Sequence, residues 1–224
     1  MRVLKLVTVL FILIVICFFL YFILVKTNND AKHFKTEYEK LNGLKDKNKK
    51  KYIEVKIPKD NNVKYASFDE VMEFLDNGTG ILYLGFPECP WCRNIVPVLI
   101  DTAMENEIEN SYYFNALSIR DIKKLDDDGN IITTKKGTEN YYKLVDKLKD
   151  FLGPYEGLGD DSIKRIYFPT VIFLQGGKIV GSHIGTVDSQ KDPYKVLNKS
   201  QKKELKQIFV DNINKIYGVC DKNC

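Results

Sequence analysis

Cysteine, histidine and tryptophan are all scarce in this 224-residue chain, with five, two and one respectively. With His33 and His183 as the only imidazoles, a zinc site would have to be completed from cysteines far apart in the chain. Fourteen glycines and seven prolines without an internal repeat exclude a collagen-like chain. A composition of 44% hydrophobic and 29% charged residues excludes wholesale disorder. A large charge excess is missing too, since the net charge is +4. That small excess sits in the N-terminal arm: residues 1–25 contribute +2, residues 26–62 +5, and residues 63–224 −3. A nucleic-acid-binding domain carries its basic residues on the folded part. Charge therefore speaks against nucleic acid as a partner.

What the chain does have is one long apolar run. Leu6 to Val25 is 20 residues without a charge, bracketed by Lys5 and Lys26. As a helix it would cover roughly 30 Å, the thickness of the hydrocarbon core of a bilayer. A secretory leader has a shorter apolar core and a small-residue cleavage site, and Val25-Lys26-Thr27-Asn28-Asn29 offers none. Cys17 follows Ile16, where a lipoprotein signal needs a small residue. The expectation is an uncleaved N-terminal transmembrane anchor over residues 1–25. Lysines flank it on both sides, so the positive-inside rule does not orient it.

Residues 26–62 are rich in lysine and asparagine and are expected to form a linker, with a helical stem near 30–44. A folded domain is expected over 63–218. Ser67-Phe68-Asp69-Glu70 fits a capping box that opens a helix ending at Asp76-Asn77-Gly78. Gly80 to Gly85 is a short apolar run bounded by glycines, the pattern of a buried strand. Pro90 to Asn106 predicts a helix, Ser111–Leu117 a strand, and Thr138–Leu152 a second long helix. Tyr167–Leu174 and Lys178–Ser182 predict a hairpin around Gly176-Gly177, and Ser200–Tyr217 a final amphipathic helix. Asp126-Asp127-Asp128-Gly129 lacks the alternating ligands of a calcium loop and is expected to be a solvated turn. Helices alternating with strands make the class α/β with a central mixed sheet.

Four cysteines remain outside the apolar run: Cys89 and Cys92 in a C-x-x-C pair, and Cys220 and Cys224 in the tail. C-x-x-C serves as half a zinc site, a structural disulfide or a redox pair. The order strand, short turn, Cys89-Pro90-Trp91-Cys92, helix favours redox chemistry. Cys89 would stand at a helix N-terminus, where free N–H groups and the helix dipole stabilise a thiolate. Cys92, one turn on, would be shielded yet near enough to close a disulfide. Glu88 is expected to work against that thiolate by like-charge repulsion. Cys220 and Cys224 are expected to pair with each other or stay free on the tail, and His183 to face solvent.

The segment from Cys89 through Pro97, together with Phe168-Pro169-Thr170 and the run on to Gly185, resembles the thioredoxin superfamily. The resemblance covers roughly residues 63–217, with 119–165 as an insertion. Length, the Pro-Trp dipeptide and the anchor look most like the bacteriocin transport accessory proteins within it. What the resemblance implies is a thioredoxin-like fold and a thiol–disulfide oxidoreductase facing the cell exterior. Cys89 would attack and Cys92 resolve, and Trp91, Phe168 and a cis Pro169 would line a groove for protein or peptide substrates. A membrane redox partner or an exporter would be further partners, and no metal or organic cofactor is implied. Tyr83 stands where thioredoxins carry a buried aspartate, which puts fast dithiol reduction in doubt. The competing reading is a non-catalytic adaptor for a secreted peptide or its exporter, its C-x-x-C being a structural bridge.

Overall fold

The computed structural model describes the backbone of residues 2–218, and within it all side chains except those of residues 2–6, 22–24, 27 and 28. Cys220 and Cys224 lie outside the described residues. The element order is α1 (Arg2–Glu39), β1 (Val63–Tyr65), α2 (Phe68–Asn77), β2 (Gly80–Leu84), α3 (Pro90–Glu105), β3 (Ser111–Phe114), β4 (Ile122–Leu125), β5 (Ile131–Lys135), α4 (Glu139–Leu148), β6 (Thr170–Gln175), β7 (Lys178–Ile184) and α5 (Lys199–Ile216).

Five strands form a mixed sheet in the order β1-β3-β2-β6-β7. β1, β3 and β2 run parallel, while β6 is antiparallel to both β2 and β7. Side chains alternate across a strand, and β2 uses both faces. Ile81 and Tyr83 join one core with α1, α3 and α5, whereas Leu82 and Leu84 join a second with α2 and α4. Being buried on both sides is why Gly80–Leu84 is apolar throughout rather than alternating. The fold is thus α/β, a mixed sheet between two helical layers.

Local signals explain the helices. Ser67 Oγ accepts from the Glu70 N–H at 3.3 Å and Glu70 Oε2 accepts from the Ser67 N–H at 2.7 Å, completing the capping box of α2. α5 opens with a second box between Asn198 and Gln201. Gly177 closes the β6–β7 turn at φ +77°, where a Cβ would lie 1.8 Å from the Asp76 carbonyl oxygen.

Residues 26–62 are not a free linker. Ala31, Phe34 and Tyr38 lie on one stripe of α1 and are buried in the core. The chain then returns as an extended segment in which Ile53, Val55 and Ile57 are buried while Glu54 and Lys56 face solvent. Side chains do the work of a neighbouring strand there. Asn42 bonds the Val55 N–H at 3.0 Å and its carbonyl at 2.7 Å, and Glu39 accepts from the Ile57 N–H at 2.7 Å. The lysines that dominate the composition stay outside, and the few apolar residues between them are sufficient to dock the segment.

Residues 119–165 hold a hairpin the sequence did not announce. β4 and β5 pair antiparallel around Asp126, whose Oδ1 accepts from Asp128 N and Asn130 N at 3.0 and 2.7 Å, a solvated turn. Every residue of β5 is exposed, so no face gave it a periodic pattern. At the other end of the chain, Leu10, Phe11, Ile14, Phe18 and Phe19 of α1 stand exposed. Among the described residues, no helix is long and apolar enough to cross a membrane.

Candidate functional site

β2 ends at Leu84 and a short turn delivers Cys89 to the start of α3. Cys89 is the N-cap, its Sγ accepting the Cys92 N–H at 3.2 Å, and Pro90 occupies the first turn, where its missing N–H costs nothing. Both cysteines are free thiols, Cys89 5% exposed and Cys92 fully buried. Cys89, at the helix N-terminus, is thus nearly as closed to solvent as Cys92.

The two sulfurs are pushed in opposite directions. The Cys92 thiol donates to Cys89 and draws its pKa below the ordinary thiol range, aided by the Cys92 and Trp91 N–H groups and the Arg120 guanidinium, against the effect of burial. Burial pushes Cys92 well up, and its bond to Cys89 and the charge there add to that. The Tyr83 hydroxyl and the Phe86 N–H oppose this by stabilising the Cys92 thiolate. Glu88 is exposed and does not prevent the lowering at Cys89. The arrangement favours one thiolate and one protonated thiol, the split that disulfide exchange uses.

The segment before β6 closes over this pair. The Phe168–Pro169 peptide bond is cis, and the Phe168 carbonyl oxygen lies 3.5 Å from Cys89 Sγ. Gly185, at φ +78°, donates its N–H to the Pro169 carbonyl at 2.9 Å and ties β7 to the same loop. No known family model matches the chain, and neither does any curated protein. What stands is the geometry: a mixed sheet with flanking helices compatible with a thioredoxin-like fold, and a close Cys89–Cys92 pair.

Trp91 and Phe168 line one open cleft of about 520 Å³, with Pro154, Tyr167, Gly185 and Val187 around it. Phe168 is also held edge-on by Phe86, with ring centroids 5.3 Å apart, and covered by Arg120 at 4.9 Å. Arg120 comes from the start of the 119–165 segment, so this segment contributes to the site. Sequence reasoning missed Arg120, because its place beside Phe168 is set by the tertiary fold.

Two further residues were missed. Arg93, directly after Cys92, is 1% exposed and donates to Ile53 O, Tyr38 O, Pro87 O and Asn42 Oδ1 at 2.6, 2.9, 3.1 and 2.7 Å. It fastens the N-terminal segment to α3. Tyr38 brings its hydroxyl to 2.8 Å from that of Tyr83. Its only signal in the sequence was the four-residue spacing from Phe34.

His183 does not face solvent as expected. It lies edge-on to Phe209 at 5.6 Å, and burial lowers its pKa. Among the described residues, no three His, Cys, Asp or Glu side chains group closely enough to hold a metal ion.

Proposed function

We propose that the protein is a thiol–disulfide oxidoreductase acting on protein or peptide substrates. The observation that carries this reading is the paired state of the cysteines: Cys89 capping a helix with a lowered pKa, and Cys92 buried, protonated and bonded to it. Cys89 thiolate attacks a substrate disulfide and forms a mixed disulfide. Cys92 then attacks Cys89 Sγ, the mixed disulfide breaks, and the substrate leaves as a thiol. Phe168, Pro169 and Trp91 form the docking edge, with the cleft beside them receiving the substrate chain.

The uncharged run over residues 6–25 and the exposed apolar side chains of α1 support a membrane anchor, and the redox reading of Cys89 and Cys92 is what favours a folded domain outside the cell. The described exposed stretch, residues 7–21, is by itself shorter than the roughly 20 residues a span requires, so the anchor rests on the whole run. Protease added to intact cells should then remove the domain. Protection until lysis would overturn the outward orientation.

The chemistry is tested by trapping. Cys92→Ser should accumulate mixed disulfides with partner proteins, and Cys89→Ser should accumulate none. Equal trapping by both variants would reverse the assigned roles. A wild-type Cys89–Cys92 bridge that stays oxidised and inert would favour the adaptor.

A further inference from the structure

Among the described residues a lysine makes every ion pair, and neither Arg120 nor Arg165 has one. Arg120 gives one N–H, from Nη1, to the Ile166 carbonyl at 3.3 Å. The Arg165 guanidinium makes no hydrogen bond, and its Nε is buried without a partner. Asp121 follows Arg120 in the chain, but its carboxylate is paired with Lys123 Nζ at 3.6 Å. Ile166 follows Arg165, so the two half-buried arginines meet at one short stretch of chain. The charge of Arg165 adds to burial in holding the Arg120 pKa below its ordinary value.

Both cations lie on aromatic faces. Arg120 covers Phe168 at 4.9 Å, and Arg165 lies over Tyr155 at 4.2 Å and Tyr167 at 5.6 Å. A ring replaces water on one face of a guanidinium and leaves the N–H edge for an acceptor. The same rings border the redox centre. The Phe168 carbonyl oxygen is 3.5 Å from Cys89 Sγ, and Tyr167 and Phe168 line the cleft with Trp91.

We propose that Arg120 and Arg165 form an anion site beside Cys89 that takes the carboxylate of an acidic residue flanking the substrate cysteine. The inference rests on the oxidoreductase reading above and names its substrate class, an acidic polypeptide segment.

The chemistry of the pair selects that ligand. A carboxylate accepts two parallel N–H bonds from one guanidinium, and its charge offsets the repulsion between two of them. A chain presenting its disulfide to Cys89 must pass Phe168, and so carries the neighbours of its cysteine past Arg120. The cleft itself holds Glu156 and Asp188 against Lys191, so it offers an acid no net attraction. The acid therefore belongs next to the substrate cysteine rather than deeper in the cleft. Residues 63–224 carry a net −3, and the long-range field of the domain disfavours acidic chains. A preference for them has to come from a local site. That site binds and orients, and the bonds made and broken at Cys89 are unchanged.

The test uses the full-length protein and three short peptides whose cysteine is flanked on both sides by aspartate, by asparagine or by lysine. Each cysteine carries a 2-thiopyridyl disulfide, whose leaving group is uncharged and does not compete for the arginines. The Cys89 thiolate bonds to the peptide sulfur and the peptide–pyridyl S–S bond breaks. Pyridine-2-thione leaves with a solvent proton, and its absorbance gives the second-order rate constant. Subtracting the rate of Cys89→Ser removes the other thiols, and dividing by the rate with mercaptoethanol removes intrinsic differences between the peptides. The aspartate peptide should react about 5- to 10-fold faster than the asparagine peptide, between an exposed ion pair and a hydrogen bond to a charged group. The lysine peptide should be the slowest. The aspartate-to-asparagine ratio should fall towards one in about 0.5 M salt, in Arg165→Gln and in Arg120→Gln. Being a ratio, it cancels any change these variants make in Cys89 itself. A ratio near one in the wild type, or one unchanged in Arg165→Gln, would overturn the inference and leave the oxidoreductase reading intact. An equal fall in Lys124→Gln, on the exposed face of β4, would also overturn it, because general surface charge would then be the cause. No pyridine-2-thione from any peptide with the wild type would bring down the oxidoreductase reading, and the inference with it.

Discussion

Replacing Arg93 with methionine should loosen the N-terminal segment from the rest of the fold. The side chain keeps an unbranched apolar stem but is shorter and loses all five donors, and four buried or half-buried acceptors lose their partner: Ile53 O, Tyr38 O, Pro87 O and Asn42 Oδ1. At about 1 kcal/mol for each abandoned acceptor the gross cost is ~4 kcal/mol. Some of this is recovered, because a guanidinium no longer has to be taken out of water. The expected net loss is about 3 kcal/mol, equivalent to a melting temperature lower by roughly 6–12 °C for a domain of this size. Urea denaturation of the full chain, followed by tryptophan fluorescence from Trp91, measures it. Limited proteolysis should show new cuts within residues 40–57 well below the unfolding midpoint. Arg93→Lys should fall between, since an ammonium cannot reproduce the planar fork that spans these acceptors. A loss under 1 kcal/mol with no new cleavage would refute the view that Arg93 is the fastening point.

Phe34→Ala removes a ring that is fully buried against Tyr38 and Tyr113, and should cost about 3–5 kcal/mol in chemical denaturation, where a linker residue would cost nothing. Because the folded Cys89 pKa lies below that of a free thiol, its thiolate persists to lower pH than in the unfolded chain. The pH midpoint of its alkylation by iodoacetamide should therefore lie below about 8.5, the free-thiol value, with Cys92 unmodified until the protein unfolds. Arg120→Met takes away a charge that favours the thiolate, so the same alkylation midpoint should move to higher pH with little change in stability. Gly177→Ala forces a Cβ into the Asp76 carbonyl at a positive φ, and a thermal melt should report a destabilisation of about 1–3 kcal/mol.

The site was legible in the sequence to the extent that it is local. Cys89-Pro90-Trp91-Cys92 lies between a glycine-bounded strand and a proline-opened helix, and those signals act within a few residues of the motif. The capping box at Ser67 and Glu70 and the unbroken apolar run of β2 were readable for the same reason. Phe34 and Tyr38 were not, although they stand one helical turn apart, because lysines and asparagines dilute them in any window average. Ile53, Val55 and Ile57 do alternate, but the partner that satisfies their backbone is a set of side chains, Asn42, Glu39 and Arg93, rather than a strand. β4 and β5 have no buried face and so no pattern to find. The meeting of Tyr38 with Tyr83 depends on two distant segments packing together, which no local window records.

The most direct test of the oxidoreductase account is a redox titration of the full-length protein in glutathione buffers, with mass spectrometry locating the disulfide at each ratio. The account predicts one reversible two-electron transition between free Cys89 and Cys92 and a Cys89–Cys92 disulfide, linear in the Nernst plot with a tenfold change per about 30 mV. A pair that cannot be oxidised to this bridge, or one that no glutathione ratio can reduce, would contradict it.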